Sequence, residues 1–289
     1  MTTLDLELSG RSPRERLWFA PGRVVAGNLT LVLSGTVLGL LVLAALAPGL
    51  FTFIDPNAVD TRAILKPPSW AHPFGTDENG RDVFSRIVHG AGASLRLGFG
   101  AVLIGLTLGS ILGIAAAIGH RLADQAIMRS VDVGLAFPEL LLALLVIATI
   151  GPGADSAMIA IGIATAPNYT RLVRAQALGV TRSGYVEAAR VLGLSPWRVL
   201  SAHILPNALR PVLVLATIGI GTTTLAGAGL SFLGLGVSPP DPEWGAMLAS
   251  ARSFLARAWW YGLFPGFAIV ALVISATVFG RALRQKLEA

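Results

Sequence analysis

Four stretches of this chain carry no charged residue and are long enough to cross a bilayer. They run over 24–47, 97–119, 211–240 and 258–280. The hydrocarbon core of a membrane takes about 20 apolar residues of helix, so each run predicts a membrane-crossing helix. The composition agrees. Only 13% of the 289 residues are charged and 54% are hydrophobic, with a mean hydropathy of +0.70. Soluble domains usually carry about 25% charged residues.

Two weaker runs lie between the second and third of these. One covers 133–150 with Glu139 near an end, and the other 156–173 with Arg171 near its far end. The turn-forming GPGAD at 151–155 joins them and reverses the chain. Their terminal charges reach an interface by snorkelling. The expected fold is therefore all-α and polytopic, with six transmembrane helices. Lysine and arginine asymmetry orients it. With the N-terminus inside, the inner segments hold fifteen of the 22 basic residues and the outer segments seven. Both termini are expected in the cytoplasm. The expected plan is a cytoplasmic segment over 1–23, a first span over 24–47, an extracytoplasmic loop over 48–96, and a tail over 285–289. The first run is too long for a signal-peptide core of about 7 to 15 residues, so it is expected to stay as a span.

What the chain lacks narrows its chemistry. There is no cysteine, hence no disulfide and no thiolate metal site. Neither lysine, Lys66 or Lys286, follows a glycine, so no phosphate-binding P-loop exists. No H-E-x-x-H or G-x-S-x-G occurs, and His72, His89, His120 and His203 lack metal-ligand spacing. The net charge of +6 reads as basic loops against anionic membrane lipid, not as nucleic-acid binding. The four strong spans hold no ionisable residue of the kind that an ion-coupled secondary transporter places at mid-membrane. That class stays as the alternative from a different mechanism. Gly105, Gly109 and Gly113 recur every fourth residue on one helix face. Small residues so spaced allow close helix approach, either inside one bundle or against another subunit.

The most informative polar stretch is GYVEAARVLGLSPWRVLSAHILPN at 184–207. Its charges would cost about 2.5–3.5 kcal/mol each at a bilayer centre, so it lies outside the bilayer, and the orientation above puts it in the cytoplasm. Residues 184–192 predict a short helix on which Glu187 and Arg190 can pair and Ala188 and Ala189 keep one flank thin. Gly193 ends it in a left-handed conformation. Ser195 and Pro196 restart a helix as N-cap and first residue. Trp197, Leu200, Ser201 and Ile204 follow as an apolar stripe, with Trp197 suited to an interface. Pro206 turns the chain toward the next span. A thin projecting helix suits insertion into a groove of a partner, and a plain interfacial helix is the other reading.

E-A-A at 187–189, Gly193 and Leu205-Pro206 resemble the EAA loop of ABC importer permeases. His203 stands where that pattern has isoleucine. Further segments resemble the second permease subunit of dipeptide, oligopeptide and nickel importers: HPFGTDENGRDVFSRIVHGAGASL, DVGLAFPELLLAL, YTRLVRAQAL, GLSFLGLGVSPPDPEWGAML and WWYGLFPG. Arg281 departs from the acidic residue expected in the tail. The resemblance implies a type I ABC importer permease fold with its core over 91–284. It implies a multi-pass protein of a bacterial or archaeal plasma membrane, without catalytic residue, cofactor or metal of its own. Partners would be a second homologous permease, two ATPase subunits that bind ATP and magnesium, and an extracytoplasmic binding protein. A cytoplasmic coupling loop over 176–207 would dock on an ATPase through Tyr185, Glu187, Ala188, Ala189, Arg190, Gly193 and Leu194, supported by Trp197, Leu205 and Pro206. One face of Gly105, Gly109 and Gly113 would pack helices or meet the second permease. Di- or oligopeptides are the expected substrates, with nickel chelates, glutathione or opines as alternatives.

Two outer segments are long. In the first, Asp77, Asn79 and Gly80 resemble part of a calcium loop, but Arg81 stands where a ligand belongs. Val83, Phe84, Ile87 and Val88 predict an interfacial helix leading into the second span. In the second, Asp241, Glu243 and Trp244 are expected to face the binding protein, or else to cap the permease.

Overall fold

The computed structural model describes residues 21–288, with side chains from 29 to 285. The segment 1–23, expected inside with its Arg11, Arg14 and Arg16, lies mostly outside the described residues, whereas of the expected tail 285–289 only residue 289 does. All named elements are helical. We number them α1 Pro21–Leu46, α2 Val83–Ile118, α3 Arg121–Ala136, α4 Glu139–Ile150 and α5 Ala154–Thr181. The second half holds α6 Gly184–Val191, α7 Pro196–Val199, α8 Leu205–Phe232, α9 Trp244–Ala251 and α10 Trp259–Glu288. Four helical stretches are long and apolar enough to span: Leu29–Leu46, Val83–Ile118, Pro196–Phe232 and Trp259–Gln285. The pair α3 and α4 makes a fifth if read as one bent span.

That pair corrects the sequence reading, which ran a single span over 133–150. α3 ends at Ala136 and α4 starts at Glu139, with a bend of 101° between them. Pro138 is the cause. Its ring disfavours a helical conformation at the preceding residue, and Phe137 is extended at φ −94° and ψ 141°. α4 rises only about 18 Å over its length, short of the bilayer core of about 30 Å. α3 carries Arg121, Asp124, Arg129 and Asp132, too many charges for a lipid-crossing helix, and is not by itself among the stretches long and apolar enough to span.

A second correction concerns α2. The apolar stripe Val83, Phe84, Ile87 and Val88 is no separate interfacial helix; it is the first turns of α2. Asp82 caps this end, its carboxylate accepting from the Ser85 amide at 2.7 Å. The helix rises about 54 Å, so one end stands clear of the hydrocarbon.

Packing at that end is built around buried charge. Asp77 is fully buried, and its carboxylate accepts from Arg81 Nε at 2.6 Å and lies 3.6 Å from Arg86 Nε. Arg86 also donates to the carbonyls of Pro56 and Pro240 and to Asn57 Oδ1. One arginine of α2 thereby ties two loops to the bundle. Asp77 serves these arginines, and no group of three or more metal-binding side chains occurs among the described residues.

The same end overturns part of the expectation for the second outer segment. Glu243 is 1% exposed and Trp244 is 0% exposed. The Glu243 carboxyl accepts from the Gly245 and Ala246 amides at 2.9 and 2.8 Å, filling otherwise orphaned donors at the start of α9. Ser94 Oγ of α2 donates to it at 3.1 Å. The Trp244 indole donates to the Ile87 carbonyl at 2.9 Å. These two side chains hold α9 to α2 and present nothing to a partner; Asp241 alone of the three is exposed. Glu243→Ala is expected to cost about 1–3 kcal/mol by leaving buried donors unpaired. Thermal unfolding in detergent measures it, and an unchanged midpoint would contradict this role.

α2 packs most extensively on α5. A Cβ on Gly109 would lie 2.4 Å from Tyr169 Cβ and 2.9 Å from the Thr170 amide nitrogen. One on Gly113 would lie 2.8 Å from the Thr170 carbonyl oxygen, and one on Gly105 would lie 2.3 Å from Thr165 Oγ1. The glycine face of α2 therefore meets α5 of the same chain.

Candidate functional site

The polar stretch 184–207 forms a compact unit at the far end of α5. Ser183 precedes α6, whose residues Val186 and Ala189 point inward at 0% and 5% exposure. They join an apolar cluster with Val173 and Ala177 of α5, Val199, Ile204 and Ala208. The i, i+3 spacing of Val186 and Ala189 puts both on one face. The opposite face exposes Tyr185, Glu187, Ala188 and Arg190. Ala189, expected beside Ala188 as outward contact surface, is instead part of this anchor. Glu187 and Arg190 both point outward and form no ion pair with each other.

The end of α6 is a Schellman motif. The Gly193 amide donates to the Arg190 carbonyl at 3.0 Å, and the Leu194 amide to the Ala189 carbonyl at 3.1 Å. Gly193 has φ +79°, and a Cβ there would meet nothing within 4 Å. Its glycine is required by backbone conformation, not by space. Leu194 packs against the apolar cluster.

α7 starts where the sequence places it. Ser195 is the N-cap, its hydroxyl accepting from the Arg198 amide at 3.4 Å, and Pro196 is the first helical residue. Beyond that, the turn of the chain expected at Pro206 is absent. α7 runs through a π-helical turn, Leu200–Ile204, directly into α8. Pro206 has no amide hydrogen and its ring crowds the carbonyl four residues back. The wider turn accommodates both, the Leu205 amide reaching the Leu200 carbonyl. Asn207 Nδ2 donates to the His203 carbonyl at 2.6 Å. His203 stands edge-on to Tyr185, ring centroids 6.5 Å apart, and so links the turn to α6. Trp197 is 74% exposed, and the stripe that packs is Val199, Leu200 and Ile204.

Two features here had no sequence signal. Val191 and Leu192 are 83% and 79% exposed. Beside the charges of Glu187 and Arg190 they make a mixed apolar and charged surface. Two ion pairs also tie α3 to α5. Arg174 donates through Nε and Nη2 to the two Asp124 oxygens at 2.6 and 2.7 Å, and Arg171 lies 2.8 Å from Asp132. The two hydrogen bonds from Arg174 hold the Asp124 carboxyl below the usual carboxylate range. The unit is therefore a rigid projection, anchored on its inner side and free on its outer side. Among the described residues it holds no group of three or more metal-binding side chains.

Comparison with known proteins bears on the chain as a whole. Residues 105–289 match the family of binding-protein-dependent transport system inner membrane components. The probable D,D-dipeptide transport system permease protein DdpC of Escherichia coli is 40% identical, over 99% of this chain and 97% of that protein. A dipeptide transport system permease protein, DppC of Alkalihalophilus pseudofirmus, is 45% identical over 78% of this chain and 74% of its own. The glutathione transport system permease protein GsiD of Pectobacterium atrosepticum is 38% identical over 97% and 92%. Among solved structures, a chain of the MetNI methionine ABC transporter in inward-facing conformations matches with a TM-score of 0.58. It is 20% identical and covers 70% of this chain and 96% of its own. At that identity the likeness establishes the fold alone, one shared with a chain of an ABC transporter.

Proposed function

The chain belongs to the family of binding-protein-dependent transport system inner membrane components, and from that premise we propose that it imports di- or oligopeptides as half of an ATP-driven translocation path. The chain is the non-catalytic membrane component. The observation that carries the mechanism is the α6 unit, buried on one face through Val186 and Ala189 and exposed on the other through Tyr185, Glu187, Ala188 and Arg190.

In this reading the exposed face of α6 docks in a groove of a cytoplasmic ATPase. Glu187 meets a basic residue there, and Ala188 allows close approach. Gly193 sets the turn that aims α7, and Trp197, Leu205 and Pro206 support it. ATP and magnesium bind two ATPase subunits, whose closure moves the docked helices together. A second homologous permease completes the path, and an extracytoplasmic binding protein delivers the substrate. Because α7 continues through the π-helical turn into α8, movement of the docked face reaches a spanning helix directly. That is rigid-body switching about a central path. We place six passes in the membrane, α4 with its interfacial partner α3 being the third, and both termini in the cytoplasm.

Glutathione is the second reading, favoured by the GsiD relative. The test is uptake into proteoliposomes holding the permease pair, the ATPases and the binding protein. Labelled di- and tripeptides are expected to accumulate only with internal ATP. Accumulation of glutathione in preference to peptides would move the assignment to the second reading. Uptake driven by an ion gradient without ATP would overturn the importer reading.

A further inference from the structure

A cavity of about 390 Å³ opens at the end of the bundle opposite α6, where α2, the start of α5 and two loops meet. Ligand pockets run from about 300 to 1,000 Å³, so its size is that of a small-molecule site. Its lining is mixed. Arg96 of α2 and Asp155 of α5 form an ion pair at 2.7 Å across it. Both side chains are largely exposed, at 71% and 68%. Asp241 also lines it, and its carboxylate makes no ion pair or hydrogen bond among the described residues. Leu97, Met158 and Val237 supply apolar wall.

We infer that this cavity is a transit subsite for the charged ends of a short zwitterionic peptide, an inference that rests on the peptide-importer reading above. Exposed ion pairs contribute little to stability, so the Arg96–Asp155 pair can open at little cost. A peptide carries the two charges needed to replace it. Its terminal carboxylate takes the Arg96 guanidinium fork, where two parallel hydrogen bonds form. Its terminal ammonium takes Asp155, released from Arg96, and the unpaired Asp241. The three protein charges sum to −1, which favours the ammonium end. Leu97, Met158 and Val237 offer substrate side chains apolar contact, and Met158 adapts to shape. The subsite therefore reads peptide ends and tolerates varied side chains.

The test uses the assembled importer with its binding protein in proteoliposomes and a dipeptide bearing a diazirine side chain. During uptake, photolysis is expected to label segments 89–97 or 154–158, located by mass spectrometry. Free dipeptide competes, and the N-acetylated dipeptide amide does not. The double variant D155N/D241N is expected to lose labelling at least tenfold, with assembled complex quantified alongside. Competition by the blocked peptide needs no variant and stands even where the double variant assembles poorly. Uptake with no label in these segments, or equal competition by the blocked peptide, overturns the subsite and leaves the importer reading intact. Absence of any ATP-driven peptide uptake by the unaltered importer overturns both.

Discussion

Gly109→Leu is expected to abolish accumulation of the folded protein in the membrane. A Cβ at this position would sit 2.4 Å from Tyr169 Cβ and 3.0 Å from the Tyr169 carbonyl carbon. Neither atom can move without the α5 backbone. The cost therefore exceeds the about 1–3 kcal/mol of ordinary overpacking, where side chains can yield. Separation of α2 from α5 would also open the apolar cluster that anchors α6. Gly39→Leu is the matched control. Gly39 shares the spacing with Gly35 in α1, yet a Cβ there meets nothing within 4 Å. It is expected to insert at unaltered yield. Monodisperse protein recovered after detergent extraction reports both, and equal recovery of the two variants would refute the packing argument.

Gly193→Val and Glu187→Lys are expected to leave a protein that inserts and pairs but transports at least tenfold more slowly. The reasons differ. Valine at φ +79° is strained beyond the about 1–2 kcal/mol a left-handed conformation costs most L-residues, and relieving the strain breaks both backbone hydrogen bonds that close α6. Gly193→Asn, which tolerates that conformation better, is expected to keep most activity. Lysine at 187 leaves α6 intact and reverses a charge on its outward face. ATP-dependent uptake in proteoliposomes, with ATP hydrolysis measured in parallel, separates coupling from assembly. Transport by Gly193→Val at the unaltered rate would remove the docking role from this loop.

Much of this molecule was legible because lipid and backbone rules act locally. Uncharged runs of sufficient length gave the long spans, since burying charge in hydrocarbon is too costly to be hidden by tertiary context. Ser195, Pro196 and Gly193 marked a restart and a stop, since capping depends on a few adjacent residues. The failures were equally physical. Pro138 inside an apolar run reads as part of a span until the bend at Phe137 is seen. The stripe at 83–88 has the same periodicity whether it ends at an interface or continues into α2. Glu243 and Trp244 look exposed in a proline-rich segment, and only the approach of Ser94 and Ile87 from α2 explains their burial. Val186 and Ala189 could have been read as the inward face from their spacing, but that spacing does not say which side of a helix meets the bundle.

The sequence alone determined the membrane, the helical class, the lack of a P-loop and the polar, helix-forming character of 184–207. Each follows from composition or from contacts within a few residues. Tertiary structure alone decided that the glycines of α2 meet α5 of this chain and that Ala188 faces out while Ala189 faces in. It also brought Arg96, Asp155 and Asp241 around one cavity. Those outcomes depend on which helix faces meet, and that is settled by the fit of whole surfaces across residues far apart in the chain.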